Sequence, residues 1–241
     1  MLELTKVYDV CRVDKPKLTV VFLHGIAADS ASFKGLLKHL GNAKELGEER
    51  LVAFDLLGAG KSYTSDELNY DFKEQLEALD NAVMKLDSGP IVIVAHSMGT
   101  MIATRFAETH KRLVKGLVLV SPPVYRKEDI ENPMFATAME GFREVVGRRN
   151  PKLLHAKAFN NEIKNIVSNP NNYDFLARVT VPTVLVYGEL DKVIAPFNIP
   201  NLVKNNPNIS AIKTAGAHGV TIDKYSKILA TLKDFLGKEV K

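Results

Sequence analysis

The chain has 241 residues, 46% hydrophobic and 25% charged, which suits a single α/β domain with a modest insertion and a full buried core. Its formal charge of +4 is slight and its basic residues are scattered, Arg148-Arg149 being the densest pair, so nucleic-acid binding is excluded. No stretch of eighteen apolar residues is present, which excludes a membrane span, and one cysteine, Cys11, excludes an internal disulfide.

The N-terminal stretch Met1-Leu2-Glu3-Leu4-Thr5-Lys6 carries an early acid and no continuous apolar region, so no secretory signal is read there. With a lone cysteine, read as structural, this places the chain in a reducing, cytoplasmic setting. No Cys/His cluster has metal-ligand spacing and no glycine-rich phosphate loop occurs, so neither a metal nor a cofactor is expected. Oligomeric state is not readable.

Continuous apolar runs cover residues 18–23, 51–54, 91–95, 117–120 and 183–187, with a weaker one from Ile209 to Lys213. Short β-branched runs without alternation mark strands covered on both faces, as in a parallel sheet. Helical spacing falls between them: Ser30 to Leu40, Phe72 to Leu86, Ser97 to Thr109 and Tyr225 to Leu236. The alternation predicts an α/β fold, a doubly wound and mostly parallel sheet flanked by helices. From Pro122 to Val181 only helix-like segments occur, Met134 to Val146 and Lys152 to Val167 among them. Residues 1–121 and 182–241 therefore read as the core and 122–181 as a helical cap over the carboxyl edge of the sheet, where open α/β sheets bind ligands.

The third run ends in Ala95-His96-Ser97-Met98-Gly99, a strand breaking into a helix with one hydroxyl at the break. Such a turn holds a serine in a strained, exposed position and needs small residues two before and two after it. A serine needs a base to become a nucleophile, and histidine suits the task. His39, His110 and His155 read as solvated helical residues, His96 as packing away from the hydroxyl, and His24 as bracing its own loop. His218, in the small-residue loop Ala215-Gly216-Ala217-His218-Gly219 before the last helix, is the expected base. Its orienting acid is expected in Gly188-Glu189-Leu190-Asp191, with Asp191 favoured over Glu189 because the turn at Gly188 gives it a loop position. Backbone donors for a developing oxyanion are expected at Met98, opening a helix, and at Ile26, after His24-Gly25.

These pieces together resemble the α/β-hydrolase fold superfamily, in particular serine carboxylesterase-like members with a small helical cap. The resemblance is carried by Phe22-Leu23-His24-Gly25, by Asp55-Leu56-Leu57-Gly58-Ala59-Gly60-Lys61-Ser62 (similar to the D-x-x-G-x-G-x-S loop), by the serine turn, and by the Asp191 and His218 loops in the order Ser, Asp, His. It implies a structural role for Asp55. The turn reads A-x-S-x-G rather than G-x-S-x-G, as in some bacterial lipases. Serine at the turn and the absence of tryptophan speak against the dehalogenases and epoxide hydrolases of the fold. Gly219-Val220 after the histidine weakens, without removing, a reading as a hydrolase of carbon–carbon bonds in ring-fission diketones. The resemblance thus implies hydrolysis of a small-molecule carboxylic ester, of small to medium acyl length, through an acyl-enzyme. Met134, Phe135, Met139, Phe142 and Phe159 are the candidates to line an acyl pocket. From a different class, a ligand-binding protein on the same fold with little turnover is the alternative.

Overall fold

The computed structural model describes residues 2–42, 48–87, 89–149, 155–218 and 225–239. Seven strands form one sheet in the order β1-β3-β2-β4-β5-β6-β7: β1 (Thr5–Val10), β2 (Leu18–Leu23), β3 (Glu49–Asp55), β4 (Ile91–His96), β5 (Val114–Val120), β6 (Thr183–Gly188) and β7 (Ile209–Thr214). All neighbours are parallel except β1, which runs antiparallel to β3 at the edge.

The uninterrupted apolar strands are explained by their two neighbouring layers. Side chains alternate across a strand, so Val20 and Phe22 of β2 enter one core with Phe33, Leu36, Leu40, Ile228 and Leu232. Val21 and Leu23 enter the other, with Leu79, Val83, Met101, Ile102 and Phe106. The first face is covered by α1 (Lys34–Asn42) and α9 (Tyr225–Glu239), the second by α2 (Phe72–Met84) and α3 (Met98–Thr109). Phe22 and Phe33, both fully buried, meet with ring centroids 5.5 Å apart. Full burial of each such side chain stabilises by about 1.5–3 kcal/mol.

Between β5 and β6 the described residues form α4 (Lys127–Glu131), α5 (Pro133–Arg149), α6 (Ala156–Glu162), a π-helical turn (Ile163–Val167) and α7 (Asn172–Ala177); α8 (Ile199–Asn205) precedes β7. The expected helix from Lys152 to Val167 is thus an α-helix running into a π-turn, and its first residues, with Pro151, lie outside the described residues. The helix expected from Ser30 opens instead as a 3₁₀ turn, Ser30–Phe33, capped by the Asp29 side chain on the Ala31 amide.

β1 is the strand that the sequence reading missed, and α8 is a helix that it missed. The residues of β1 are half-buried or exposed and none is fully buried, and an edge strand with one wet face lacks the apolar run used to find the others. Ser62 ties it down: Thr5 N–H donates to Ser62 Oγ at 2.7 Å, and that hydroxyl donates to the Asp55 carbonyl. Cys11, expected to be structural, is exposed just past this strand, its thiol donating to the Val13 carbonyl. No helix among the described residues is long and apolar enough to cross a membrane.

Candidate active site

Ser97 sits between β4 and α3 with φ 49° and ψ −120°, a conformation that costs a non-glycine residue about 1–3 kcal/mol. Neighbours on all sides hold it there. Its amide donates to the Val120 carbonyl at 2.8 Å, fastening the turn to β5, and its carbonyl accepts from the Thr100 amide and hydroxyl. A Cβ on Gly99 would lie 2.5 Å from the His24 carbonyl oxygen, so the turn packs directly on the end of β2. Ala95 is fully buried, which shows how the alanine of A-x-S-x-G is accommodated: its methyl belongs to the core.

His218 Nε2 lies 2.9 Å from Ser97 Oγ, and its Nδ1 lies 2.9 Å from Asp191 Oδ2. The other Asp191 oxygen accepts from the Val193 amide at 2.9 Å, and the side chain is fully buried. A carboxylate can only accept, so Nδ1 carries the ring proton and Nε2 is left to accept from the serine hydroxyl. The loops bearing the two residues are joined by backbone bonds, Glu189 N–H to the Thr214 carbonyl and Leu190 N–H to the Gly216 carbonyl, each 3.0 Å. A Cβ on Gly188 would lie 2.3 Å from the Gly216 oxygen, which accounts for the small residues around His218. Glu189, the other candidate acid, turns away and pairs with Lys213 at 3.0 Å.

His24 braces its loop as expected. Its Nδ1 donates to the Gly25 carbonyl and its Nε2 accepts from the Leu56 amide, both at 2.8 Å. Burial draws its imidazole below the ordinary range, so it stays neutral with both nitrogens engaged. Ile26 follows and is buried, and Ala27 beyond it has φ 50°. Met98 is the first residue of α3, so its N–H has no partner within the helix. Asp55 is a structural knot, accepting from the amides of Ser30 and Lys61, each at 2.8 Å.

His96 lies nearer the site than expected. Its ring centroid is 5.1 Å from that of His218, and its Nε2 is buried with no hydrogen-bond partner among the described residues. Burial, and then the neighbouring His218, lower its pKa to about 3. It therefore remains neutral if His218 takes a proton.

Of the five pocket candidates, Phe142 stands edge-on to His218 at 6.1 Å between centroids, and Phe135 packs edge-on against Tyr125 at 4.7 Å. Met139 and Phe159 are buried, Phe159 beside the His24-Gly25 loop. Met134 is a correction: it is 78% exposed in the first turn of α5, where a side chain faces solvent rather than a pocket wall. Histidines read as solvated are engaged: His110 stacks on Phe106 and meets Asp80, and His155 caps α6. Gly219-Val220 lie outside the described residues. Tyr125, whose buried hydroxyl is held well above its ordinary range first by burial and then by Asp191, is a neighbour of the site that the sequence did not disclose.

The model of the alpha/beta hydrolase fold matches residues 19–161, more than half of the chain, and the chain belongs to that family. It is 31% identical over 154 residues to the probable lysophospholipase BODYGUARD 4 of Arabidopsis thaliana, covering 56% of this chain but only 35% of the plant protein, so it spans about a third of that relative's length. It is 26% identical over 227 residues to a pimeloyl-[acyl-carrier protein] methyl ester esterase of Wigglesworthia glossinidia brevipalpis, covering 81% of this chain and 83% of that one. Among solved structures, an esterase from Exiguobacterium antarcticum superposes with a TM-score of 0.73 at 18% identity, covering 98% of this chain and all of the other.

Proposed function

We propose that the protein is a serine hydrolase that cleaves carboxylic esters of small to medium acyl groups through an acyl-enzyme. The observation carrying this reading is the continuous hydrogen-bonded line from Ser97 Oγ through His218 to Asp191, with 2.9 Å at each step. In the proposed reaction His218 Nε2 takes the Ser97 proton as Oγ attacks the ester carbonyl, and Asp191 steadies the imidazolium. The oxyanion forms against the Ile26 and Met98 amides. His218 then gives its proton to the leaving alcohol, and a water repeats the sequence to release the acid.

In this reading residues 122–181 act as a cap that shapes the acyl site, with Phe142, beside His218, and Met139 as wall residues. Relatives named as an esterase and a lysophospholipase support an ester as the bond cleaved. The test is turnover of p-nitrophenyl acetate by the wild type and by Ser97→Ala. Loss of turnover in the variant is expected, and an unchanged rate overturns the reading. Rates that climb strongly beyond about ten acyl carbons would overturn the proposed chain length.

A further inference from the structure

The edge strand β1 carries an irregularity for which the mechanism above has no use. Side chains alternate along a strand, so Val7 and Tyr8 should point to opposite faces of the sheet. Against β3, however, Lys6 pairs with Phe54 and Tyr8 with Ala53, which leaves Val7 as the extra residue of a bulge. A bulge re-aims a side chain, and Val7, Tyr8 and Val10 all line one groove between β1 and α1. Val7 stays 42% exposed there.

The opposite wall comes from α1 and the 3₁₀ turn before it. Lys34, Leu37, Lys38 and Gly41 recur at helical spacing, so one stripe of α1 runs along the groove, with Ala31 ahead of it. Strand and helix meet at Tyr8 and Gly41, where a Cβ would lie 3.5 Å from the Tyr8 hydroxyl oxygen. The cavity measures about 580 Å³, inside the range of small-molecule sites, about 300–1,000 Å³. Ser97, Asp191 and His218 are not among its lining residues.

Its charged groups carry one sign. Arg12, Lys34 and Lys38 line it, all exposed, and among the described residues no carboxylate does. None of the three is paired with an acid among the described residues. Asp9 of β1 is taken by Arg50, whose Nε and Nη2 donate to it at 2.8 and 2.7 Å, and Asp29 caps the Ala31 amide. An apolar floor edged only by cations is complementary to an anion with an apolar body. Lys34 and Lys38 are one helical turn apart on the same face, close enough for both to reach a single carboxylate.

We infer that this groove is a binding site for a small amphiphilic anion, an acyl chain bearing a carboxylate. The chain would lie on Val7, Val10 and Leu37, with the carboxylate at Lys34 and Lys38. The site is separate from the proposed ester chemistry and does not rest on it.

The experiment titrates the full chain with octanoate and follows backbone amide shifts by NMR. Octanol, a chain without charge, and acetate, a charge without chain, are the comparisons. Octanoate should shift amides in the two lining segments, residues 7–12 and 30–41, whether or not it also shifts those around Ser97. It should bind about threefold or more tighter than octanol, the worth of one exposed ion pair, and that margin should shrink as salt is raised. Acetate should shift neither segment. Lys34→Gln combined with Lys38→Gln should erase the margin over octanol. Val7→Asp, which puts a like charge on the floor at an exposed position, should weaken octanoate by about threefold or more; if it does not fold, Val7→Ser takes its place. The inference is overturned if octanoate leaves both segments unshifted, or if octanol binds as tightly. It is also overturned if octanoate leaves them unshifted while the same variants abolish binding to phosphatidylglycerol vesicles, or self-association. Those results would assign the face to a lipid surface or to a second copy of the chain. No turnover is measured, so failure here leaves the hydrolase reading untouched.

Discussion

A Cβ placed on Gly25 would fall 2.9 Å from the Cβ of Ser97 and 2.9 Å from Nδ1 of His96, so the loop after β2 lies flat against the serine turn. Heavy atoms are not tolerated at that separation, and Gly25→Ala must push the loop away from the turn. Because the Ile26 amide follows directly, the displacement should act on the oxyanion and not on ground-state binding. The expected result is a fall in kcat of roughly 10²-fold or more with KM little changed, and a stability cost of about 1–3 kcal/mol. Steady-state kinetics with chemical denaturation checks both numbers.

The two carboxylates after β6 should separate cleanly. Asp191 is fully buried against His218, whereas Glu189 makes a partly exposed pair with Lys213. Asp191→Asn should lose about 10⁴-fold in kcat with folding intact, since the asparagine favours the wrong imidazole tautomer. Glu189→Gln should leave kcat within about twofold, because a surface pair contributes at most about 1 kcal/mol. Reversal of the two results would reassign the acid.

Asp55 resembles a catalytic residue by its neighbours alone. Its oxygens are taken by the Ser30 and Lys61 amides, so Asp55→Ala strands two backbone donors. We expect a loss of about 1–3 kcal/mol for each stranded buried donor, seen as a lower melting temperature, with kcat per folded molecule within roughly fivefold of the wild type. A large loss of kcat without loss of stability would give Asp55 a part in the chemistry.

Acid should weaken the fold through His96. In the folded chain this imidazole is held at about 3, against an ordinary value of 6.5. Between those values the unfolded chain binds the extra proton, so stability rises with pH across the window and is lost as pH falls from about 6.5 toward 3. Glu162 acts in the opposite sense: its raised carboxyl stabilises most below its ordinary value of 4.5 and less as pH rises. The informative quantity is therefore the difference between the wild type and His96→Gln. Urea unfolding at pH 7 and pH 5 should show a shallower decline for the variant.

How far the sequence disclosed this site depends on how each residue signals itself. Ser97, Asp191 and His218 each occupy a loop following an apolar strand run, and parallel strands bring such loops to one edge of the sheet, so their meeting follows from the order of elements. His24 was legible for the same reason. Tyr125 was not, being placed by the course of the chain after β5 and not by any spacing. Met134 misled the reading because an apolar residue in the first turn of a helix has the same pattern whether it faces a pocket or water. β1 escaped because its outer face is wet.

The central claim is that Ser97 is the nucleophile, and intact-mass measurement after treatment with a fluorophosphonate tests it most directly. The expected result is a single adduct on the wild type, mapped by peptide digestion to Ser97, and none on Ser97→Ala under the same conditions. A folded wild type left unmodified, or an adduct that persists in Ser97→Ala, would contradict the account.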